Sequence, residues 1–116
     1  MDQAVILSTS RTPIGKAYRG SFNDTDSPTL ASYSIKSSIT KAGIDPSEVE
    51  DVIIGSAVQQ GTQGYNIGRL SAIASGIPSH VAGMSVDRQC ASGLMAIAIG
   101  AKQIACKEMD VVVGGG

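Results

Sequence analysis

Aromatic residues are scarce in this chain: no tryptophan, one phenylalanine and three tyrosines among 116 residues. Basic residues are scarce as well, nine Lys and Arg against ten Asp and Glu, and they form no cluster. A nucleic-acid partner needs a basic stripe, usually with stacking platforms beside it, so none is expected. No apolar run approaches the roughly 18 residues of a membrane-spanning helix, and Met1-Asp2-Gln3 lacks the charged start of a secretory signal. The expectation is a cytoplasmic protein with no membrane partner. Cysteine occurs only twice, at Cys90 and Cys106. Both fall on one predicted helix, about 24 Å apart at 1.5 Å per residue, too far for a disulfide between them.

Apolar residues make up 42% of the chain and charged residues only 16%. Such a balance fits a domain whose exterior is partly covered by other protein. The 14 glycines punctuate apolar runs and read as turns and close packing. At this length the chain is one domain at most.

Ala4-Val5-Ile6-Leu7 is an unalternating apolar run and predicts a strand buried on both faces. Ser27-Pro28 supplies an N-cap and a first-turn proline for a helix carrying Ala31, Ile35, Ile39 and Ala42 and ending at Gly43. Asp45-Pro46-Ser47-Glu48 predicts one short turn. Val52-Ile53-Ile54 is the second predicted strand, and Asn66 caps a second helix that ends at Gly76 and Pro78. Val81 to Val86 is the third strand. A third helix follows to about Glu108, and Asp110-Val111-Val112-Val113 is a fourth strand. The order β-α-β-α-β-α-β predicts an α/β fold with a largely parallel sheet.

The third helix shows only Ala, Ile, Leu, Met, Gly and Ser before Lys102. A helix apolar all round belongs between two layers of protein. Its second cover is not encoded here, and the last strand runs straight into Gly114-Gly115-Gly116, glycines expected to turn the chain into a next element. The expectation is that residues 1–116 are a fragment, the N-terminal part of a larger domain.

Ligands in open α/β sheets gather at the carboxyl ends of the strands, beside helix N-termini. Cys90 is expected there, between the third strand and the third helix, where the helix dipole favours a thiolate and Ala91-Ser92-Gly93 leave room for a substrate. On position alone two readings stand, a nucleophile or a small buried hydrophobe packed against the apolar helix. A helix N-terminus contributes only about 0.3–1 kcal/mol, so a nucleophile needs an activating base as well. His80, the only histidine, lies before the third strand and is expected at its far, amino end. Cys106 is expected to be a packing residue late in the helix.

Ser10-Arg11-Thr12-Pro13-Ile14-Gly15-Lys16-Ala17 follows the first apolar run but fails as a phosphate loop. Its first glycine is Ser10, Ala17 replaces the hydroxyl residue, and Pro13 removes an amide. Arg11, Lys16 and Arg19 read as a solvated loop. Gly61 to Arg69 is a glycine-rich connection that either lines the same site as Cys90 or serves as turn and N-cap.

Four of these segments, in this order, resemble the thiolase family: Ser10-Arg11-Thr12-Pro13-Ile14-Gly15-Lys16, Asn66-Ile67-Gly68-Arg69, Arg88-Gln89-Cys90-Ala91-Ser92-Gly93-Leu94, and Asp110-Val111-Val112-Val113-Gly114-Gly115-Gly116. The resemblance implies a layered α/β/α/β/α fold of two similar halves, this chain contributing part of the first βαβαβαβ half, with the loop domain and C-terminal half absent. It implies an acyltransferase that makes or cleaves 3-ketoacyl-CoA. Cys90 would carry the acyl group, and its backbone N–H would serve an oxyanion site. It implies coenzyme A thioesters as substrates, no permanently bound cofactor and no metal. The partners implied are acyl-CoA and acetyl-CoA, the rest of the chain, and further copies in a homodimer or homotetramer. The activating histidine and a second cysteine would come from the other half. Arg88-Gln89-Cys90 leans toward the degradative members. A ketoacyl synthase of the same superfamily, or a thiolase-like protein that binds CoA or lipid without turnover, are the alternatives.

Overall fold

The computed structural model describes residues 2–116. Helix α1 spans Ser27–Ala42, strand β1 Asp51–Gly55, helix α2 Ile67–Ala74, strand β2 Ala82–Val86, helix α3 Ser92–Ala105 and strand β3 Val112–Gly115. Short 3-10 turns occupy Pro46–Glu48 and Gly61–Gln63.

The strands form one parallel sheet in the order β2-β1-β3. Asp51 to Gly55 pair with Ala82 to Val86 on one side, and Asp51 to Ile54 with Val112 to Gly115 on the other. Alternation along β1 sends Val52 and Ile54 into a core with Ile35 and Ile39 of α1, Ile67 and Ala72 of α2, and Val49, Ile77 and Val81. Ile53 points the other way and is fully buried. Helix α3 lies on that second face, close enough that a Cβ on Gly114 would come within 3.1 Å of the Ile97 Cα.

The first helix begins one residue earlier than its sequence signal. Asp26, not Ser27, is the N-cap, and its carboxylate accepts from the Thr29 N–H at 2.8 Å. That backbone hydrogen bond holds the Asp26 carboxyl below its ordinary value. Gly43 ends the helix in the left-handed region at φ 70, as its sequence position predicts. The short turn carries a full capping box between Asp45 and Glu48.

Three expectations are corrected. Ala4-Val5-Ile6-Leu7 is not a strand, and Val5, Ile6 and Leu7 stay 60–75% exposed. Apolar composition creates the demand for burial, but a strand also needs a ladder partner, and β3 does not pair with this segment. It is tied instead to α1 by the Ser8 hydroxyl donating to the Ser38 carbonyl at 2.7 Å and by Lys41 Nζ donating to the Thr9 carbonyl at 3.2 Å. The observed order is therefore α-β-α-β-α-β. Gly114 and Gly115 are not a turn but strand residues, paired with Ile53 and Ile54, and a Cβ at Gly114 would crowd the Ile97 Cα of α3 at 3.1 Å. Helix α3 stops at Ala105 rather than near Glu108, where Lys107 takes a positive φ.

Helix α3 buries only one stripe, Ser92, Ala96 and Gly100. Leu94 remains 72% exposed and Ile97 45%. Its far face has no cover among the described residues, as the apolar sequence demands of a helix made for two layers. No helix of the described residues is long and apolar enough to cross a membrane.

Candidate active site at the β2–α3 turn

Strand β2 ends at Val86, and α3 begins at Ser92 after five intervening residues. The turn between them is held almost wholly by local hydrogen bonds. Asp87 Oδ1 accepts from the Gln89 N–H at 2.8 Å. The Arg88 carbonyl accepts from the Ala91 N–H, and the Gln89 carbonyl from the Ser92 N–H, both at 3.1 Å. The Ser92 hydroxyl donates to the Gln89 carbonyl at 2.6 Å and accepts from the Arg88 N–H at 2.8 Å. Gln89 sits in the left-handed region at φ 50, a conformation that costs a residue with a Cβ on the order of 1–2 kcal/mol.

Cys90 is the next residue and its side chain is exposed. The expected alternative of a cysteine buried against the apolar helix is thus corrected: the turn lifts the side chain off α3. Cys90 also lies one residue before the N-cap, Ala91, which supplies no side-chain cap. The N–H groups of Cys90, Gly93 and Leu94 consequently have no hydrogen-bond partner among the described residues. Unpaired donors beside an exposed thiol can receive a negatively charged oxygen.

The turn rests on the carboxyl end of the sheet. A Cβ on Gly55, at the end of β1, would fall 2.2 Å from the Ser92 carbonyl carbon, so only glycine allows α3 to seat there. A Cβ on Gly116, just after β3, would meet the Gly55 oxygen and the Gly93 Cα at 2.8 Å. The Ser56 N–H donates to the Val86 carbonyl at 2.9 Å, closing the same edge. Gly55 was not singled out from sequence as part of the site, and Ser92 was read there only as a small residue leaving room for a substrate. The signal available was a glycine ending a strand and a hydroxyl two residues after the cysteine.

His80 lies at the other end of β2, in the turn from Pro78 to Val81, with Nε2 3.3 Å from the Ser47 carbonyl. Five strand residues at about 3.3 Å each separate that end from the Cys90 turn. Cys106 is the C-cap of α3, at the helix end opposite Cys90. It is exposed, which corrects its expected packing role: the helix ends there and Lys107 turns the backbone away from the core.

The glycine-rich connection divides in two. Gln63 reaches the sheet's carboxyl end, where its side-chain oxygen accepts from the Ser56 hydroxyl. Asn66 caps α2, accepting from the Arg69 N–H at 3.1 Å and donating to the Gly83 carbonyl at 2.9 Å. Arg69 donates to the Val81 and Ser79 carbonyls, pinning the turn before β2. Asn66 and Arg69 therefore anchor α2 beside β2. Arg11, Lys16 and Arg19 are exposed. No three His, Cys, Asp or Glu side chains come together at metal-binding distance among the described residues.

The same fold recurs in solved proteins. An acetyl-CoA acetyltransferase of Bacillus anthracis superposes on the whole chain with a TM-score of 0.94 at 35% identity, 29% of its own length being covered. An Ascaris suum thiolase, solved in complex with coenzyme A, superposes on 97% of the chain with a TM-score of 0.91 at 30% identity. By sequence, the chain is 36% identical over 116 residues to a 3-ketoacyl-CoA thiolase of Bacillus subtilis, covering 30% of it. It is 36% identical to an acetyl-CoA acetyltransferase of Cupriavidus necator, covering 29% of that relative. The peroxisomal 3-ketoacyl-CoA thiolase 2 of Arabidopsis thaliana is 37% identical over 115 residues, with 25% of its length covered. The chain thus spans between a quarter and a third of the relatives it matches. Residues 4–116 match the model of the thiolase N-terminal domain, and the chain belongs to the thiolase family.

Proposed function

We propose that the intact protein is an acyltransferase that forms or cleaves 3-ketoacyl-CoA through an acyl-thioester on Cys90. The observation that carries this reading is the exposed Cys90 thiol, presented beside unpaired N–H groups at the carboxyl edge of a parallel sheet. Its family relatives support it, being named acetyltransferases, acyltransferases and thiolases.

In the first step Cys90 Sγ attacks the thioester carbonyl carbon of an acyl-CoA. The bond from that carbon to the CoA sulfur breaks, and CoA leaves with the proton that Cys90 gave up. The Cys90 N–H faces the oxygen on which charge develops, at the place where a preorganised donor contributes most. In the second step acetyl-CoA gives an α-proton to a base, and the carbanion so formed attacks the acyl carbonyl carbon. A C–C bond forms, the bond from that carbon to Cys90 Sγ breaks, and the sulfur takes a proton back. Thiolysis runs the same bonds in reverse. Proton transfer needs a base within about 3.2 Å of the thiol or one water away, and among the described residues His80 is too distant. The base and a second acid/base group belong to the rest of the polypeptide. The protein holds no permanent cofactor, since the CoA thioesters are consumed as substrates. A cytoplasmic homo-oligomer completes this reading.

The test is to incubate full-length protein with radiolabelled acetyl-CoA, digest it and locate the label. Acetyl on the Cys90 peptide, with turnover lost in Cys90→Ala, is the expected result. Label elsewhere, or a Cys90→Ala variant that still cleaves acetoacetyl-CoA, would refute it.

A further inference from the structure

We propose that Ser92 is a positioning residue for Cys90, its hydroxyl holding the turn that presents the thiol and leaves the Cys90 N–H free. The inference rests on the reading of Cys90 as the nucleophile. Ser92 is 96% buried by its 4% exposure, so no solvent reaches it to replace a lost partner. Its hydroxyl uses both of its capacities locally, donating to the Gln89 carbonyl and accepting from the Arg88 N–H. The two residues it grips are those immediately before the cysteine. One of them, Gln89, holds a backbone conformation that a side chain disfavours. The Arg88 N–H has no other partner among the described residues.

Ser92 is itself fixed from below. Gly55 lets the Ser92 backbone lie directly on β1, so the hydroxyl acts from a fixed point and not from a mobile helix end. With Ala91 giving no side-chain cap, Ser92 is the one side chain of α3 that reaches back into the turn. Removing its oxygen frees Gln89 to relax toward negative φ, which rotates the Cys90 N–H and swings Sγ away from the sheet edge. Displacements of about 1 Å at a reacting group can cost on the order of 10²-fold in rate.

The experiment uses the full-length protein and two readouts. One is kcat and KM for thiolysis of acetoacetyl-CoA. The other is the rate of iodoacetamide alkylation at Cys90 relative to Cys106 in the same molecule, read by peptide mass mapping. Ser92→Ala should lower kcat by about tenfold or more while KM stays within about threefold, and should change the Cys90-to-Cys106 ratio several-fold. Ser92→Thr and Ser92→Val match each other in size and differ in the hydroxyl, which separates positioning from packing. Thr should keep the wild-type ratio and Val should lose it. Equal ratios in Thr and Val, or a Ser92→Ala protein with kcat and ratio both unchanged, would overturn the proposal. The alkylation ratio needs no turnover. A protein without thiolysis in which Thr and Val still differ refutes the acyltransferase reading and leaves the Ser92 clamp standing.

Discussion

Gly55, the last residue of β1, lies against the backbone of Ser92, the first residue of α3, with no room for a methyl group between them. The contact sets the height of the α3 N-terminus above the sheet and hence the position of Cys90. Gly55→Ala should push that helix turn outward. Overpacking of this kind typically costs about 1–3 kcal/mol, occasionally more, and here the loss should appear in thiolysis before it appears in folding. Urea denaturation of the full-length protein, run beside kcat, checks both. A variant as stable and as active as wild type would show that α3 does not need the close seat.

Cys90 and Cys106 occupy opposite ends of one helix, and both are exposed. Only Cys90 lies beside unpaired N–H donors, whereas Cys106 adjoins the carbonyl end of the helix. Brief iodoacetamide treatment of full-length protein should label Cys90 faster, and acetyl-CoA should protect it while leaving Cys106 unchanged. Equal rates at the two sites would remove the claim.

His80 contacts the Ser47 carbonyl at the amino end of β2. His80→Ala should therefore leave kcat within a few-fold of wild type. A loss of about 10³ or more, the scale expected of a triad base, would place the reacting centre at the wrong end of the sheet.

Three carboxylates are held below their ordinary range by hydrogen bonds: Asp26 by the Thr29 N–H, Asp45 by the Ser47 hydroxyl, and Glu50 by the Asp110 and Val111 N–H groups. A folded-state pKa below the unfolded one contributes stability above the unfolded value, here the ordinary 3.8 of the aspartates and 4.5 of Glu50. That stability is lost as pH falls through the folded values. Glu50→Gln should flatten the acid limb of the stability curve without moving the curve's shape at neutral pH. Thermal melts from pH 6 down to pH 3 give the comparison, and identical acid slopes in both proteins would contradict it.

Leu94, Ile97, Val5, Ile6 and Leu7 are all substantially exposed. Full burial of such side chains contributes about 1.5–3 kcal/mol each, against a whole-domain stability of about 5–15 kcal/mol. Residues 1–116 expressed alone should bind a hydrophobic dye such as ANS, aggregate, and fail to cleave acetoacetyl-CoA. A monodisperse monomer with a cooperative melt and measurable thiolysis would contradict both parts.

Local chemistry alone placed much of this fold. Gly43 and Asn66 mark helix boundaries through conformations and hydrogen bonds that involve only a few neighbouring residues, so the sequence carries them. The strands around Val52-Ile53-Ile54 and Val111-Val112-Val113 were legible from β-branched runs between turn signals, and Val81–Val86 from its place between the Pro78 turn and the third helix. The cysteine's place between β2 and α3 was legible for the same reason. Other features depended on what lies across space. Ala4–Leu7 has the composition of a strand yet is none, because pairing requires a neighbour that apolarity does not specify. Gly114 and Gly115 read as a turn but form strand, because both pair with β1, and only at Gly114 does α3 crowd the space a side chain would take. Cys90 is exposed and not packed because Gln89 adopts a positive φ, and that conformation is held by Ser92, itself seated on Gly55. Such a chain of contacts joins residues far apart in sequence, and only the packed sheet and helix bring them together.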